Sequence, residues 1–221
     1  MPATRSWPHD QDLSSVPIDA WEGEFGDDYT ARNEGLPLGP RIKLWHQIWR
    51  EMGGAPPRHV LEVGANVGAN IEAIRSFALN ASLVAIEPNA YALETMQHKG
   101  IRCYAGQAQQ LDFPSDSFDL VFTSGVLIHI SPEGKRGLKA ACQEIARVSK
   151  RWVVAIEYFS AQPRSVTYRD RKGLLWLRDF GQFYMETCGL VPVACGFAWK
   201  PLTGLDNVTW WLLRKPDQKE T

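Results

Sequence analysis

The sequence predicts an α/β fold, doubly wound around a mostly parallel sheet of about seven strands, and three observations carry that expectation. Apolar strand-like runs alternate with amphipathic helical stripes from residue 59 to about residue 188. The series opens on a strand, a glycine turn and a helix start, His59 to Ile71. It closes on two apolar runs, Val191–Phe197 and Asn207–Leu213, which read as a final strand pair. A chain of 221 residues is long enough for one such domain with a substantial core.

Residues 1–54 divide from the rest as an N-terminal tail and helical lid. Residues 1–17 hold proline, serine and aspartate with little periodicity and are expected to form a mobile tail. Trp21, Phe25 and Tyr29 then recur every four residues, on one face of a short helix or structured loop. That face could merely anchor the segment to the domain, or it could form a lid whose polar reach is Tyr29, Arg32 and Asn33. From Leu38 to Met52, Ile42, Trp45, Ile48, Trp49 and Met52 make a helical stripe that Gly53-Gly54 stops.

Residues 55–214 form the main domain. His59–Val63 reads as a buried strand, and Ile71, Ile74 and Phe77 fall at helical spacing. Gly64, Asn66, Gly68 and Asn70 lie between them, the geometry that brings backbone N–H groups against a ligand. The plainer alternative is that Gly64 and Gly68 only let helix and strand pack closely. Glu62, at the carboxyl end of the strand, is expected to face the ligand crevice and accept from a cationic or amino-bearing ligand.

Ser82–Asn89 is a second apolar strand, ending in Glu87 about 20 residues after the glycine turn, where an acid reaches the two hydroxyls of a ribose. A dinucleotide fingerprint would want glycines where this chain has Asn66 and Ala69, so nicotinamide binding is disfavoured. A helix from Pro88-Asn89 to about Lys99, a short strand Ile101–Ala105, and a turn holding Gly106, Gln107 and Ala108 come next. Phe118–Thr123 is a fourth buried strand, leaving through Ser124-Gly125 to His129.

Pro132–Val148 reads as another amphipathic helix and Arg151–Tyr158 as a fifth strand, which delivers Glu157 and Tyr158 to the ligand edge. Residues 159–175, with Arg164, Tyr168 and Arg169, are either charged surface or a substrate-binding insertion. Trp176–Cys188 looks helical, and residues 215–221 form a polar tail.

In combination these pieces resemble the class I S-adenosylmethionine (SAM)-dependent methyltransferases, with their Rossmann-like fold. The resemblance rests on Glu62-x-Gly64-x-x-x-Gly68, Glu87, Gly106-Gln-Ala108 and Ser117-Phe-Asp-Leu-Val-Phe122, and covers roughly residues 55–160. It implies SAM as cofactor. Tyr29, Arg32, Asn33, Glu62, Gly64, Asn66, Gly68, Glu87, Gln107, Ala108, Ser124 and Gly125 would bind it. Gln107 stands where the superfamily usually has aspartate; its amide oxygen can still accept from the adenine amine. The chain also resembles the small methylases associated with pseudaminic acid biosynthesis. That likeness rests on Trp21–Tyr29, Gly125–Ile130, Glu157-Tyr158, Tyr168-Arg169, Arg178–Phe180 and Thr209-Trp210.

The resemblance implies methyl transfer to a small-molecule acceptor, such as an acidic sugar, a sugar nucleotide or another biosynthetic intermediate. His129, Glu157 and Tyr158 are the candidate bases, and Arg164, Tyr168 and Arg169 the candidate grip on an anionic acceptor. Other sulfonium chemistry (intramolecular cyclisation, lyase or aminocarboxypropyl transfer) is the alternative. A nicotinamide-dependent oxidoreductase or a non-catalytic binding module fits less well.

Hydrophobic residues at 44% and charged residues at 22% indicate a soluble globular chain. A net charge of −1 without a long basic run gives no footing for nucleic acid, and no run of 18 apolar residues suggests a membrane span. Cys103, Cys142, Cys188 and Cys195 lack metal-like spacing and read as reduced thiols of a cytoplasmic protein; no metal is expected.

Overall fold

The structure, a computed structural model, describes residues 16–134 and 136–216. The tail expected over residues 1–17 lies outside the described residues, except that Val16 and Pro17 begin the first helix. Most of the C-terminal tail, from residue 217, lies outside them as well.

Three helices precede the sheet: α1 (Val16–Glu22), α2 (Glu24–Asn33) and α3 (Gly39–Met52). The main strands are β1 (His59–Val63), β2 (Ser82–Glu87), β3 (Cys103–Ala105), β4 (Phe118–Ser124) and β5 (Ser149–Glu157). Between them run α4 (Ala69–Arg75), α5 (Ala90–His98) and α6 (Leu138–Val148). A hairpin of β6 (Arg164–Tyr168) and β7 (Arg171–Leu177) follows, then α7 (Phe180–Cys188), β8 (Val191–Ala198), α8 (Lys200–Thr203) and β9 (Val208–Arg214).

Seven strands form one sheet in the order β3-β2-β1-β4-β5-β9-β8, and β6 and β7 form a separate pair. The pairs β1·β2, β1·β4, β2·β3 and β4·β5 are parallel, while β9 runs antiparallel to both β5 and β8. Parallel strands covered on both faces read as continuous apolar runs, which is why His59–Val63 and Phe118–Thr123 were legible. Alternate side chains then divide between two cores. Leu61, Val63, Val121, Val153 and Ala155 pack with α6 and α7 residues such as Ile145 and Phe180. Val60, Leu120, Phe122, Trp152 and Val154 pack on the other face with Trp45, Ile48, Ile71, Ile74 and Met96.

Several boundaries depart from expectation. The lid is two helices with a corner at Gly23, and α6 starts at Leu138, six residues later than expected. The insertion after β5 is a hairpin. Its two turn residues, Arg169 and Asp170, have φ of 49° and 63°, the pair of left-handed conformations that a two-residue hairpin turn requires. Neither is the Asn or Gly that advertises such a turn. Trp176 and Leu177, expected to begin a helix, end β7 instead. The run Leu174–Leu177 is short and apolar, so periodicity alone does not distinguish strand from buried helix. Helix α7 begins only at Phe180, where the Asp179 side chain accepts from Gln182 N–H at 2.9 Å.

Candidate active site

The strand order reverses between β1 and β4, the topological switch point, where ligands bind beyond the carboxyl ends of the strands. The cleft there is lined by Val63, Gly64 and Asn66 at the end of β1, Glu87 and Pro88 at the end of β2, and Gly106–Gln109 after β3. Ser124, Gly125, Val126, His129 and Ile130 line it from the end of β4 onward, and Ile18, Trp21 and Tyr29 from the lid.

Gly64 carries φ +73°, and a Cβ there would come within 2.5 Å of Val126 Cγ2. Only glycine permits this close approach of turn and β4 exit. Asn66 also has a left-handed backbone, φ 47°, and its N–H donates to Glu87 Oε2 at 2.7 Å. Asn89 N–H donates to Glu87 Oε1 at 3.1 Å. Burial raises the Glu87 pKa, and those two N–H donors oppose the rise. The result is a carboxylate held rigid at the rim of the cleft, where a ribose would lie.

The lid is tied to the same rim by polar bonds. Asn66 Nδ2 donates to Thr30 Oγ1 at 2.8 Å, and Asn33 Nδ2 donates to Asn66 Oδ1 at 3.2 Å. Asn89 Nδ2 donates to the Trp21 carbonyl at 3.0 Å, and Gln107 Nε2 donates to Glu22 Oε1 at 3.1 Å. The lid and hairpin meet in a closed circuit of rings. Trp21 lies 5.2 Å from Phe25 and 4.5 Å from His129, and Tyr168 lies 6.2 Å from Phe25 and 5.4 Å from His129, centroid to centroid. The indole N–H of Trp21, buried in this wall, has no hydrogen-bond partner among the described residues.

Of the residues expected to bind cofactor, Tyr29, Gly64, Asn66, Glu87, Gln107, Ala108, Ser124 and Gly125 all line the cleft. Asn33 reaches it only through Asn66. Three others stand elsewhere. Glu62 is 1% exposed, on the α3/α4 face of β1, where Asn70 Nδ2 donates to its Oε1 at 2.8 Å and Trp45 Nε1 donates on to Asn70 Oδ1 at 3.2 Å. Strand alternation turns it away from the crevice that its position at the strand end suggested, and burial pushes its pKa up to about 8. Gly68 caps α4 with φ +74°, and a Cβ there would meet Ile101 Cδ1 at 2.5 Å, so the plainer packing reading describes this glycine. Arg32 is exposed, its guanidinium 5.9 Å from the Tyr29 ring centroid. A cation near Tyr29 and Glu62 is Arg41, half-buried in the first turn of α3; burial raises the pKa of both groups, and the Arg41 charge opposes that rise. Nothing in the local sequence distinguished it from a surface arginine.

The three candidate bases separate. Glu157 is fully buried, its Oε1 accepting from Val126 and Leu127 N–H at 3.2 Å each. It does not line the cleft; it braces the β4 exit, and burial raises its pKa to about 7. Tyr158 is half-buried and its hydroxyl lies 3.4 Å from Asp206 Oδ2; burial and then that carboxylate push its pKa up. His129, at the end of a 3-10 turn (Leu127–His129), lines the cleft itself. Its Nδ1 lies 2.6 Å from the Leu174 carbonyl, and burial drives its pKa down to about 4 against that carbonyl's pull.

The hairpin residues also part. Tyr168 joins the aromatic wall, and Arg169 sits exposed at the turn with its guanidinium 5.6 Å from the Tyr168 ring. Arg164 pairs with Leu177 at the opposite end of β6, roughly 16 Å along the strand from the turn at about 3.3 Å per residue. Among the described residues no cluster of His, Cys, Asp and Glu could hold a metal ion, and no helix is long and apolar enough to cross a membrane.

A family model described as a methyltransferase domain matches residues 61–154, which span β1 to β5 and every turn on the cleft floor. Over 171 residues the chain is 29% identical to sterol 24-C-methyltransferase of Yarrowia lipolytica, covering 69% of this chain but only 40% of that protein. In fold it is similar to the Burkholderia thailandensis 1,6-didemethyltoxoflavin-N1-methyltransferase with bound S-adenosylhomocysteine. That likeness has a TM-score of 0.70 at 17% identity, over 95% of this chain and 94% of the other. The [4+2]-cyclase SpnF has the same fold at TM-score 0.55 and 13% identity, over 79% of this chain and 80% of its own. The cleft fits the cofactor these matches indicate, with a rigid carboxylate for ribose, a glycine turn without side chains and an amide-bearing turn for adenine. Residues 61–154 thus match a methyltransferase domain, and the cofactor that these likenesses indicate for the cleft is SAM.

Proposed function

We propose that the protein is an enzyme that methylates a small-molecule acceptor. The observation that carries this reading is the meeting of lid and hairpin over the β4 exit. The closed circuit Trp21–Phe25–Tyr168–His129 walls the lid and hairpin side of the cofactor cleft, which favours a compact acceptor over a polymer. Bound SAM supplies an electrophilic methyl group on a sulfonium. The chain supplies position: Glu87 for the ribose hydroxyls, Gln107 for the adenine edge, Tyr29 and Arg41 toward the amino-acid end, and the Ser124-Gly125 turn beside the sulfonium. Fixing two reactants in line contributes about 7–11 kcal/mol toward such a displacement, and it needs no group that this site lacks.

An anionic acceptor suits the hairpin tip. Arg169 stacks on Tyr168 and Arg171 lies 5.0 Å from the Phe25 ring centroid, so two guanidinium groups flank the aromatic wall. An acidic sugar, a sugar nucleotide or a natural-product acid would each meet them; Arg164 is too distant to share that grip. Reduced thiols support a cytoplasmic setting.

The fold shared with a [4+2]-cyclase favours one second reading, in which the cleft binds SAM but the chemistry is not methyl transfer. Incubation with methyl-labelled SAM and a small-metabolite mixture separates the two. S-adenosylhomocysteine together with a labelled small molecule supports methylation. Methylthioadenosine, or SAM recovered intact beside a rearranged product, supports the second.

A further inference from the structure

We infer that His129 is the base that takes a proton from the acceptor, and that the acceptor is methylated at an O–H or N–H group. This rests on the methyltransferase reading and deepens it. The argument begins at Nδ1, which lies 2.6 Å from the Leu174 carbonyl oxygen. A carbonyl only accepts, so Nδ1 carries the proton. The neutral imidazole has one N–H, and Nε2 is therefore a lone-pair acceptor.

Three neighbours restrain the ring against exchanging its two nitrogens. Trp21 from α1 packs 4.5 Å from it and Tyr168 from β6 5.4 Å from it, while Leu174 in β7 holds Nδ1. His129 lines the same cleft as Ser124, Gly125 and Val126, and with Nδ1 engaged by Leu174, Nε2 is the ring nitrogen left to meet a ligand. Tyr168 is the titratable side chain whose ring meets it, and burial keeps the ring neutral at physiological pH. A neutral, oriented lone pair at the cleft, given no hydrogen-bond partner among the described residues, complements a ligand that arrives with a proton to give.

The step balances. The acceptor heteroatom forms its bond to the methyl carbon while the carbon–sulfur bond breaks, and that electron pair goes to sulfur. The X–H proton passes to Nε2 and then to solvent. The acidity of X–H rises steeply as the new bond forms, so a weak base suffices. A carbon–carbon double bond, a tertiary amine or a thioether has no such proton, and Nε2 would then face it unpaired.

The test uses the full chain and two substitutions. His129→Asn can keep an N–H for Leu174 but removes Nε2; His129→Gln places an amide near Nε2 and breaks the Leu174 bond. Calorimetry with SAM confirms that each variant folds and keeps the cofactor site. Nitrogen-15 spectra of the free protein should show Nδ1 protonated and Nε2 bare; the reverse tautomer overturns the inference. Deuteromethyl-labelled SAM is then offered with a defined panel: phenols, alcohols and anilines against pyridines, tertiary amines and thioethers. Label should enter only the O–H and N–H members, and His129→Asn should lose about 100-fold or more of that rate. Label on pyridine nitrogen or thioether sulfur, at a rate His129→Asn leaves unchanged, overturns it. Failure of the wild-type chain to bind SAM would instead overturn the methyltransferase reading.

Discussion

Asn66 and Thr30 are joined by a 2.8 Å hydrogen bond from Nδ2 to Oγ1, which ties the glycine turn after β1 to the lid helix α2. The Asn66 N–H is on Glu87, so carboxylate, turn and lid form one connected unit. Filling the cleft and seating the lid should therefore be coupled, because each orders the same residue.

The lid is sensitive at Gly26, where a Cβ would lie 1.9 Å from the Trp21 carbonyl oxygen. Backbone cannot yield that far, so Gly26→Ala should unseat α1 and Trp21 while the sheet stays folded. SAM affinity should fall about tenfold or more with little loss of thermal stability, and deleting residues 1–35 should do the same. Thr30→Val is the milder change, worth about 1 kcal/mol or roughly fivefold in Kd. Calorimetric affinities equal to wild type would make the segment a passive anchor.

Glu87→Ala removes the ribose acceptor and also leaves the N–H groups of Asn66 and Asn89 without their partner. A hydrogen bond to a charged group is worth about 1.5–3 kcal/mol, so SAM binding should weaken roughly tenfold or more. An unchanged dissociation constant in a folded variant rejects the assignment.

Glu62 should make the free protein less stable as pH rises. Its folded pKa is about 8 against an ordinary 4.5, so between those values the folded state holds a proton that the unfolded state has released. The stabilisation is complete below about pH 4.5 and is lost as pH climbs through 8. Glu62→Gln can still accept from Asn70 and cannot ionise. Its melting temperature should fall less than that of wild type between pH 5 and pH 8.5, and parallel curves would refute the cause.

At the hairpin tip, Arg169→Ala should raise the acceptor KM by up to about fivefold, the scale of one exposed charge contact, with SAM affinity nearly unchanged. Arg164→Ala, at the far end of the strand, should change neither. Loss of SAM binding in Arg169→Ala would place that residue on the cofactor instead.

The sequence by itself determined the doubly wound sheet and most of the cleft floor. These follow from local information: apolar runs with the parallel-strand signature, glycines at the turn, and an acid closing β2. Gly64, Asn66, Glu87, Gln107 and Ser124 line the cleft because their places at strand ends are themselves sequence positions. Tertiary structure decided which way each neighbouring side chain looks. Glu157 closes its strand just as Glu87 does, and Glu62 stands one residue before the end of its own, yet Glu62 is absorbed by Asn70 and Glu157 by the N–H groups of the β4 exit. Pleat direction and the partners brought by distant segments settle that. The hairpin, with Arg169-Asp170 in a turn usually marked by Asn-Gly, and Arg41 beside the cleft were invisible for the same reason. So was the tautomer of His129, which is decided by Leu174, 45 residues further along the chain.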